Sequence, residues 1–154
     1  MIWALRTLLW FSVLAVALVA TARWLPAYLH RVQVPPDFED IGGLVPMTGV
    51  WLTAAPYLVG DVVAYRIGDG PEDVSFGFVA ALPGNQVRIT GGDLLVDGNE
   101  VSNWHPFGGY RGIHDVGPLT IPANHLYVIS KQHSHDSLSQ GAIGPDVILG
   151  KVRE

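Results

Sequence analysis

The side chains that can carry out hydrolytic chemistry lie in a few short stretches of the chain. His133–Ser137 (HSHDS) contains the nucleophile, base and acid types of a hydrolase triad. The members of a triad usually converge from separate segments, so neighbours in sequence seldom form one. No serine occurs from Val13 to Val74, and Thr48 and Thr53 are the hydroxyl nucleophiles available in the middle of that stretch. The bases are equally scarce, because Lys131 and Lys151 are the only lysines.

The same C-terminal stretch allows a metal hypothesis. His133 and His135 alternate, so in an extended segment both would point to one side, and Asp136 would supply a third ligand. A polar loop rich in His and Ser explains the pattern more simply, and we expect that loop. The chain has no cysteine, which excludes disulfides, thiolate metal sites and cysteine nucleophiles.

Composition limits the partners and the architecture. The 154 residues are enough for one domain and an anchor. A net charge of −5 and the lack of a basic cluster in the sequence exclude binding to a nucleic-acid backbone. Eighteen Gly and eleven Pro, with only 15% charged residues, favour short strands joined by many turns.

An apolar N-terminal segment predicts attachment to a membrane. Thr7 to Ala22 carries no charge and is bounded by Arg6 and Arg23. The length of this run is near the short end of the ~20 residues that are needed to span a bilayer. We predict a transmembrane anchor over residues 1–25, with the C-terminal domain on the outer side of the cytoplasmic membrane, in the periplasm. A cleavable signal peptide cut after Ala22 is the alternative, and it also places the remainder outside the cytoplasm.

After Pro26 the chain changes character. Residues 26–43 are predicted to be a linker, since Pro35-Pro36 and Gly42-Gly43 disfavour regular structure. Residues 44–154 are predicted to form a mostly β domain of antiparallel sheets. The predicted strands are Gly49–Leu52, Asp61–Arg66, Phe76–Ala81, Gln86–Thr90, Leu94–Val96, Leu119–Ile121, Leu126–Ser130 and Val147–Val152.

Several turn motifs occur in an order that resembles the type I signal peptidase family of membrane-anchored serine–lysine endopeptidases. They are Gly60-Asp61-Val62-Val63-Ala64-Tyr65, Leu82-Pro83-Gly84-Asn85, Leu95-Val96-Asp97-Gly98, Leu119-Thr120-Ile121-Pro122, Asp136-Ser137 and Ile148-Leu149-Gly150-Lys151-Val152. The stretch Pro46 to Tyr65 is most similar to the conjugative-transfer branch, which matures pilin-type substrates. The resemblance runs from about Gly43 to the C-terminus.

The resemblance implies a domain of two antiparallel sheet regions against the outer surface of the membrane. Its expected partners are the lipid bilayer and exported or pilin-type segments, which would pair in extended form with exposed strand edges. The family cleaves with a serine nucleophile and a neutral lysine base, so no cofactor is implied.

The positions that carry the family's chemistry hold other residues here. Aligning Pro46 with the proline of the conjugative branch places Leu44 at the nucleophile, whereas aligning Pro56 with the ordinary motif places Thr53 there. Thr48 lies close in both alignments. Counting back from Leu82-Pro83-Gly84 places Gly77 at the base.

Other matched positions are structural by the same resemblance. Lys151 matches a structural lysine in the family's closing strand, and Asp136 matches an aspartate that orders the site. We therefore predict a catalytically inactive family member that binds exported or pilin-type segments or serves in an envelope assembly. The alternatives are an active endopeptidase with Thr48 or Thr53 as nucleophile, and a structural subunit of a membrane complex.

Overall fold

The computed structural model describes residues 30–36, 43–54, 56–70, 72–101, 115–130 and 135–153. Within these residues the chain forms ten strands and one short helix, joined by turns. The elements are β1 (His30–Gln33), β2 (Gly49–Thr53), β3 (Val62–Arg66), β4 (Val74–Ala81), β5 (Gln86–Thr90), β6 (Asp93–Val96), β7 (Asn99–Glu100), β8 (Val116–Thr120), β9 (Tyr127–Ile129), α1 (Ser137–Gln140) and β10 (Ile148–Val152).

The strands form two antiparallel sheets. The larger has the order β1-β2-β10-β3-β4-β9, and the smaller has the order β7-β6-β5-β8. The last strand therefore lies between the second and the third, where Lys151 is opposite both Thr53 and Val63. The two ends of the described chain are thus held in the same sheet. This mostly β, two-sheet architecture confirms the fold class predicted from the sequence.

Strand β1 lies inside the stretch predicted to be a linker, and the sequence prediction missed it. Residues 31–34 alternate in exposure, with Arg31 and Gln33 exposed and Val32 and Val34 buried. This is the period of a strand with one face on the core. The pairing continues beyond β1, because Val34 N donates to Thr48 O at 2.8 Å. The prolines at 35 and 36 end the strand; they do not prevent it.

The smaller sheet begins with a hairpin that the sequence does predict. Asp97 and Gly98 have φ of 51° and 79°, which is the left-handed pair required by a type I′ turn. The Asp97 carboxylate accepts from Asn85 Nδ2 at 2.6 Å and from Gln86 N at 2.7 Å. The hairpin turn is therefore bonded to the start of β5.

The two faces of the larger sheet pack against different clusters of apolar residues. One face carries Leu52, Ala64 and Phe76, and the other carries Val63 and Val79. A third cluster joins the smaller sheet to α1 and to the ends of β4 and β9. Because successive side chains of a strand point to opposite faces, neighbours in sequence fall in different clusters.

The outer edge of β9 is closed by the segment that follows it. Leu126 and Ile143 exchange backbone hydrogen bonds at 3.0 and 2.8 Å. Further along the same edge, Val128 N donates to Ser137 Oγ at 2.8 Å, and Ser130 N donates to Asp136 Oδ2 at 3.2 Å. These bonds satisfy amides that an edge strand otherwise offers to another chain.

The predicted transmembrane anchor, residues 1–25, lies outside the described residues. Among the residues that are described, no helix has the length and apolar character needed to span a bilayer.

Candidate functional site

A cleft lies at the end of the larger sheet where β2 and β10 end and β3 begins. Its volume is about 330 Å³. It is lined by Leu44, Thr53, Gly60, Asp61, Val62, Phe78, Lys151, Val152 and Arg153. The cleft therefore collects both residues that the two alignments place at the family's nucleophile.

Leu44 forms part of the packed floor of this cleft. Only 9% of it is exposed, and it belongs to the cluster built around Leu52 and Phe76. Phe78 and Val62 are partly buried against the same cluster. Apolar side chains thus occupy the position aligned with a nucleophile and the wall beside it. They provide surface for an apolar side chain of a ligand and no group for proton transfer.

Thr53 and Lys151 are opposite each other across β2 and β10, and side chains at such paired positions point to the same side of the sheet. Lys151 Nζ is 2.9 Å from Asp61 Oδ1, and the two side chains are 30% and 15% exposed. The second oxygen of Asp61 accepts from Leu58 N at 2.6 Å. An ammonium that donates to a carboxylate has no lone pair with which to accept a proton from a hydroxyl. This arrangement positions Lys151 as a charged structural group.

Gly77, the position aligned with the family's base, is on the other face of the sheet from Leu44. A Cβ built on Gly77 would be 2.6 Å from Val128 Cγ1 and 2.8 Å from Ile129 O. Val128 belongs to the cluster opposite the one that contains Leu44. The backbone of β9 therefore occupies the space that any side chain at Gly77 would need. The residue of β4 that reaches the cleft is Phe78.

The remaining candidates lie elsewhere or have other contacts. Thr48 is exposed, and its hydroxyl donates to Val45 O at 2.5 Å within a turn. His135 is half-buried at the start of the closing segment, and His133 and Lys131 lie outside the described residues. No group of three metal-ligating side chains occurs within the described part of the chain.

Asp136 is bonded to backbone amides on both sides of the turn that leads into α1. It is fully buried, and its side chain accepts from Ser130 N and, as the N-cap of α1, from Leu138 N at 2.9 Å. Burial, together with the nearby Asp136 charge, raises the pKa of the Tyr127 phenol to about 12. Burial also raises the pKa of Tyr65, and the nearby Ser130 and Ser75 hydroxyls partly oppose this rise. The carboxylate thus orders backbone amides beneath β9.

A model of the family described as signal peptidase, peptidase S26, matches residues 4–154. The chain belongs to the signal peptidase family. Among solved structures twelve chains match. One is a signal peptidase I from Enterococcus faecalis V583, at 16% identity and a TM-score of 0.49, covering 66% of this chain and 100% of that chain. No curated protein matches at a significant level. The family resemblance drawn from the turn motifs is confirmed.

Two residues of this signal peptidase family cleft were missed by sequence reasoning. Asp61 was used only as part of a turn motif, although the ion pair with Lys151 makes it the charged centre of the cleft. Phe78 is part of the predicted strand Phe76–Ala81 and is not among the predicted site residues, although it lines the cleft. The alternation of Phe76 and Phe78 with Gly77 was the available signal, since residues two apart on a strand share a face.

Proposed function

We propose that this signal peptidase family protein does not cleave peptide bonds and instead binds an extended exported or pilin-type segment in the cleft. The observation that carries the proposal is the packing of Leu44 and Phe78 beside a lysine committed to Asp61. Removing one member of a catalytic nucleophile–base unit costs several orders of magnitude in rate, and here both aligned members are replaced. What remains is a cleft in which the apolar residues Leu44 and Phe78 lie beside polar groups of Thr53, Asp61 and Lys151, a mixture that suits recognition of a short peptide.

The proposal includes the site of action. Residues 1–25 hold the domain on the outer face of the cytoplasmic membrane, where exported segments emerge. The apolar run from Thr7 to Ala22 supports this placement, and so does the family, whose model matches from residue 4. The mass of the mature N-terminus distinguishes a retained anchor from cleavage after Ala22.

A binding and cleavage assay tests the proposal. The full chain in nanodiscs is mixed with fluorescent signal-sequence and prepilin peptides, and anisotropy reports binding while mass spectrometry reports cleavage. We expect binding without cleavage. Thr53→Arg fills the cleft and should weaken binding at least tenfold, whereas Thr48→Arg, the same change at an exposed position outside the cleft, should leave binding unchanged. Equal effects of the two variants, or no binding at all, contradict the proposal.

The alternative is an active endopeptidase with Thr53 as its nucleophile. It is favoured by the pairing of Thr53 with Lys151 across β2 and β10. It requires Lys151 to leave Asp61 and become neutral. Peptide cleavage that is abolished by Thr53→Ala and retained by Thr53→Ser and Thr48→Ala would establish this activity and overturn the non-catalytic proposal.

A structural role in an envelope complex makes a different prediction. Co-purification from native membranes would then yield a stoichiometric partner that contains no extended, exported segment, and the cleft variant Thr53→Arg would not release that partner. Release by Thr53→Arg and not by Thr48→Arg would favour the binding function.

A further inference from the structure

A row of three side chains crosses three strands at one edge of the larger sheet. Arg31 of β1 is opposite Trp51 of β2, and Arg153 N, just beyond β10, donates to Trp51 O at 3.0 Å. Side chains at opposite positions of adjacent strands point to the same side of a sheet. Arg31, Trp51 and Arg153 therefore form one surface, which we call the Arg–Trp–Arg row.

The row is exposed and its members contact one another. Trp51 is 50% exposed, and the Arg31 guanidinium carbon is 5.8 Å from the centre of its indole ring. The guanidinium continues over Gly49, where an added Cβ would collide with it. A cation that rests on an aromatic face keeps its outward N–H groups available to an anion. The row thus combines the large apolar ring of Trp51 with outward N–H groups of the Arg31 guanidinium.

The charge of this surface opposes that of the whole chain. The net charge of the sequence is −5, yet three of the five described lysine and arginine side chains, Arg31, Lys151 and Arg153, project from this side of the sheet. Lys151 is neutralised by Asp61. Among the residues that the structure describes, neither Arg31 nor Arg153 forms an ion pair, and the row carries these two positive charges. Strands from both ends of the chain contribute them, which is why the sequence alone contains no basic cluster.

The position of the row along the chain restricts its partner. Strand β1 begins at His30, five residues after the predicted anchor ends at residue 25. An extended chain spans at most about 3.6 Å per residue, so β1 starts within roughly 18 Å of the end of the anchor. Tryptophan is enriched at the interface between hydrocarbon and water, and each basic side chain near an anionic leaflet contributes about 1 kcal/mol of attraction.

We propose that the Arg–Trp–Arg row binds the headgroups of anionic phospholipids and so fixes the orientation of the domain on the bilayer. This inference rests on the membrane attachment proposed above. Guanidinium groups match phosphate oxygens with paired donors, and the indole enters the interface beside them. Thr53 and Lys151 of the cleft lie two residues along the chain from Trp51 and Arg153, so the cleft is held close to the surface from which exported segments emerge.

A proximity measurement tests the row. Because the chain has no cysteine, Gln33→Cys places a single bimane label beside the row. The full chain is placed in nanodiscs whose lipids carry a spin-labelled headgroup, either with phosphatidylcholine alone or with phosphatidylglycerol added. We expect at least twofold stronger quenching with phosphatidylglycerol, falling to the neutral-disc value at high salt, because screening weakens attraction at an exposed surface.

Matched variants identify the charges responsible. Arg31→Gln with Arg153→Gln should remove the extra quenching, whereas Arg66→Gln with Arg88→Gln, which removes two other exposed arginines, should keep it. Equal quenching in neutral and anionic discs overturns the proposal, and so does an equal loss in the two double variants. A label that responds to poly-glutamate and not to phosphatidylglycerol assigns the row to acidic protein segments, which also overturns it.

A separate measurement distinguishes this inference from the anchoring on which it rests. Carbonate washing of full-length protein bound to neutral vesicles reports the anchor alone. A chain that is washed away disproves the anchor. Flotation of that chain with phosphatidylglycerol vesicles, lost on Arg31→Gln with Arg153→Gln, would still support the row, and its failure to float would overturn the row.

Discussion

Lys151 Nζ lies 2.9 Å from Asp61 Oδ1, and the other oxygen of the same carboxylate accepts from Leu58 N. The pair joins the last strand of the chain to the turn before β3. The pair also limits the chemistry available in the cleft. Lys151 is the only lysine among the described residues, and Thr53 lies directly opposite it. A lysine held in this way stabilises the fold and supplies a positive charge in the cleft. It could abstract a proton only if the ion pair with Asp61 were broken.

The Asp61–Lys151 pair should show measurable coupling. Both side chains are only partly exposed, so we expect a coupling energy of about 1 kcal/mol, which is larger than that of a typical surface ion pair. Asp61→Asn, Lys151→Met and the double variant form the cycle, with the free energy of unfolding measured in urea. Replacing Arg66 and Asp146, two exposed residues that form no ion pair with each other, is the control and should give a coupling near zero. A coupling indistinguishable from zero would contradict the structural role of Lys151.

Gly77 should not accept a side chain. Gly77→Ala brings Cβ within 2.6 Å of Val128 and 2.8 Å of Ile129 O, and the backbone of β9 cannot easily move away. We expect a loss of stability of about 1–3 kcal/mol, as for other overpacked positions. Gly117→Ala is the control, since nothing lies within 4 Å of its added Cβ. Thermal or urea unfolding of both variants measures the difference. Similar stability of the two variants would place Gly77 in open space, contrary to this description.

Ser137 should stabilise the edge of β9. Its hydroxyl accepts from the buried Val128 amide, so Ser137→Ala leaves that amide without a partner and should cost about 1–3 kcal/mol. Hydrogen exchange at Val128 should accelerate in the same variant. Ser139→Ala is the control within α1, because Ser139 is exposed and water can replace the bond of its hydroxyl to Asp136 O. Unchanged protection of Val128 would show that Ser137 is not its acceptor.

Alkaline pH should unfold the protein partly through Tyr127. Its pKa rises from 10 in the unfolded chain to about 12 in the folded one, so the folded chain retains this proton while the unfolded chain releases it. The contribution is complete below pH 10 and is lost as the pH rises toward 12, with a slope of about 1.4 kcal/mol per pH unit. Urea unfolding between pH 9 and 12 measures the slope. Tyr127→Phe should make the slope shallower, and an unchanged slope would contradict this assignment.

The strands and turns were predictable because their signals are local. The alternation of Gln86–Thr90 and the Asp97-Gly98 turn depend only on neighbours in sequence, and both appear as predicted. The local signals fail at strand β1, because Pro35 and Pro36 predict a break over the whole stretch, whereas a proline restricts only its own position and the one before it.

The sequence predicts which positions align with the family's dyad, and it does not predict where those positions lie relative to one another in the fold. Counting along the chain placed Leu44 and Gly77 at the aligned dyad, and counting cannot tell that a sheet separates them. The face of a residue depends on strand register, and β4 has an irregularity between Val79 and Ala81 just before the Leu82-Pro83 turn from which the count starts. Tertiary pairs such as Asp61 with Lys151 are equally invisible, since 90 residues separate the partners.

The closed edge at β9 has a consequence for assembly. Growth of a fibre by addition of whole copies to the larger sheet needs two open edges on every copy, one for each neighbour. Here the bonds from Leu126, Val128 and Ser130 occupy one of them. Pairing through this sheet therefore stops at two copies, and many copies can crowd together without polymerising through it.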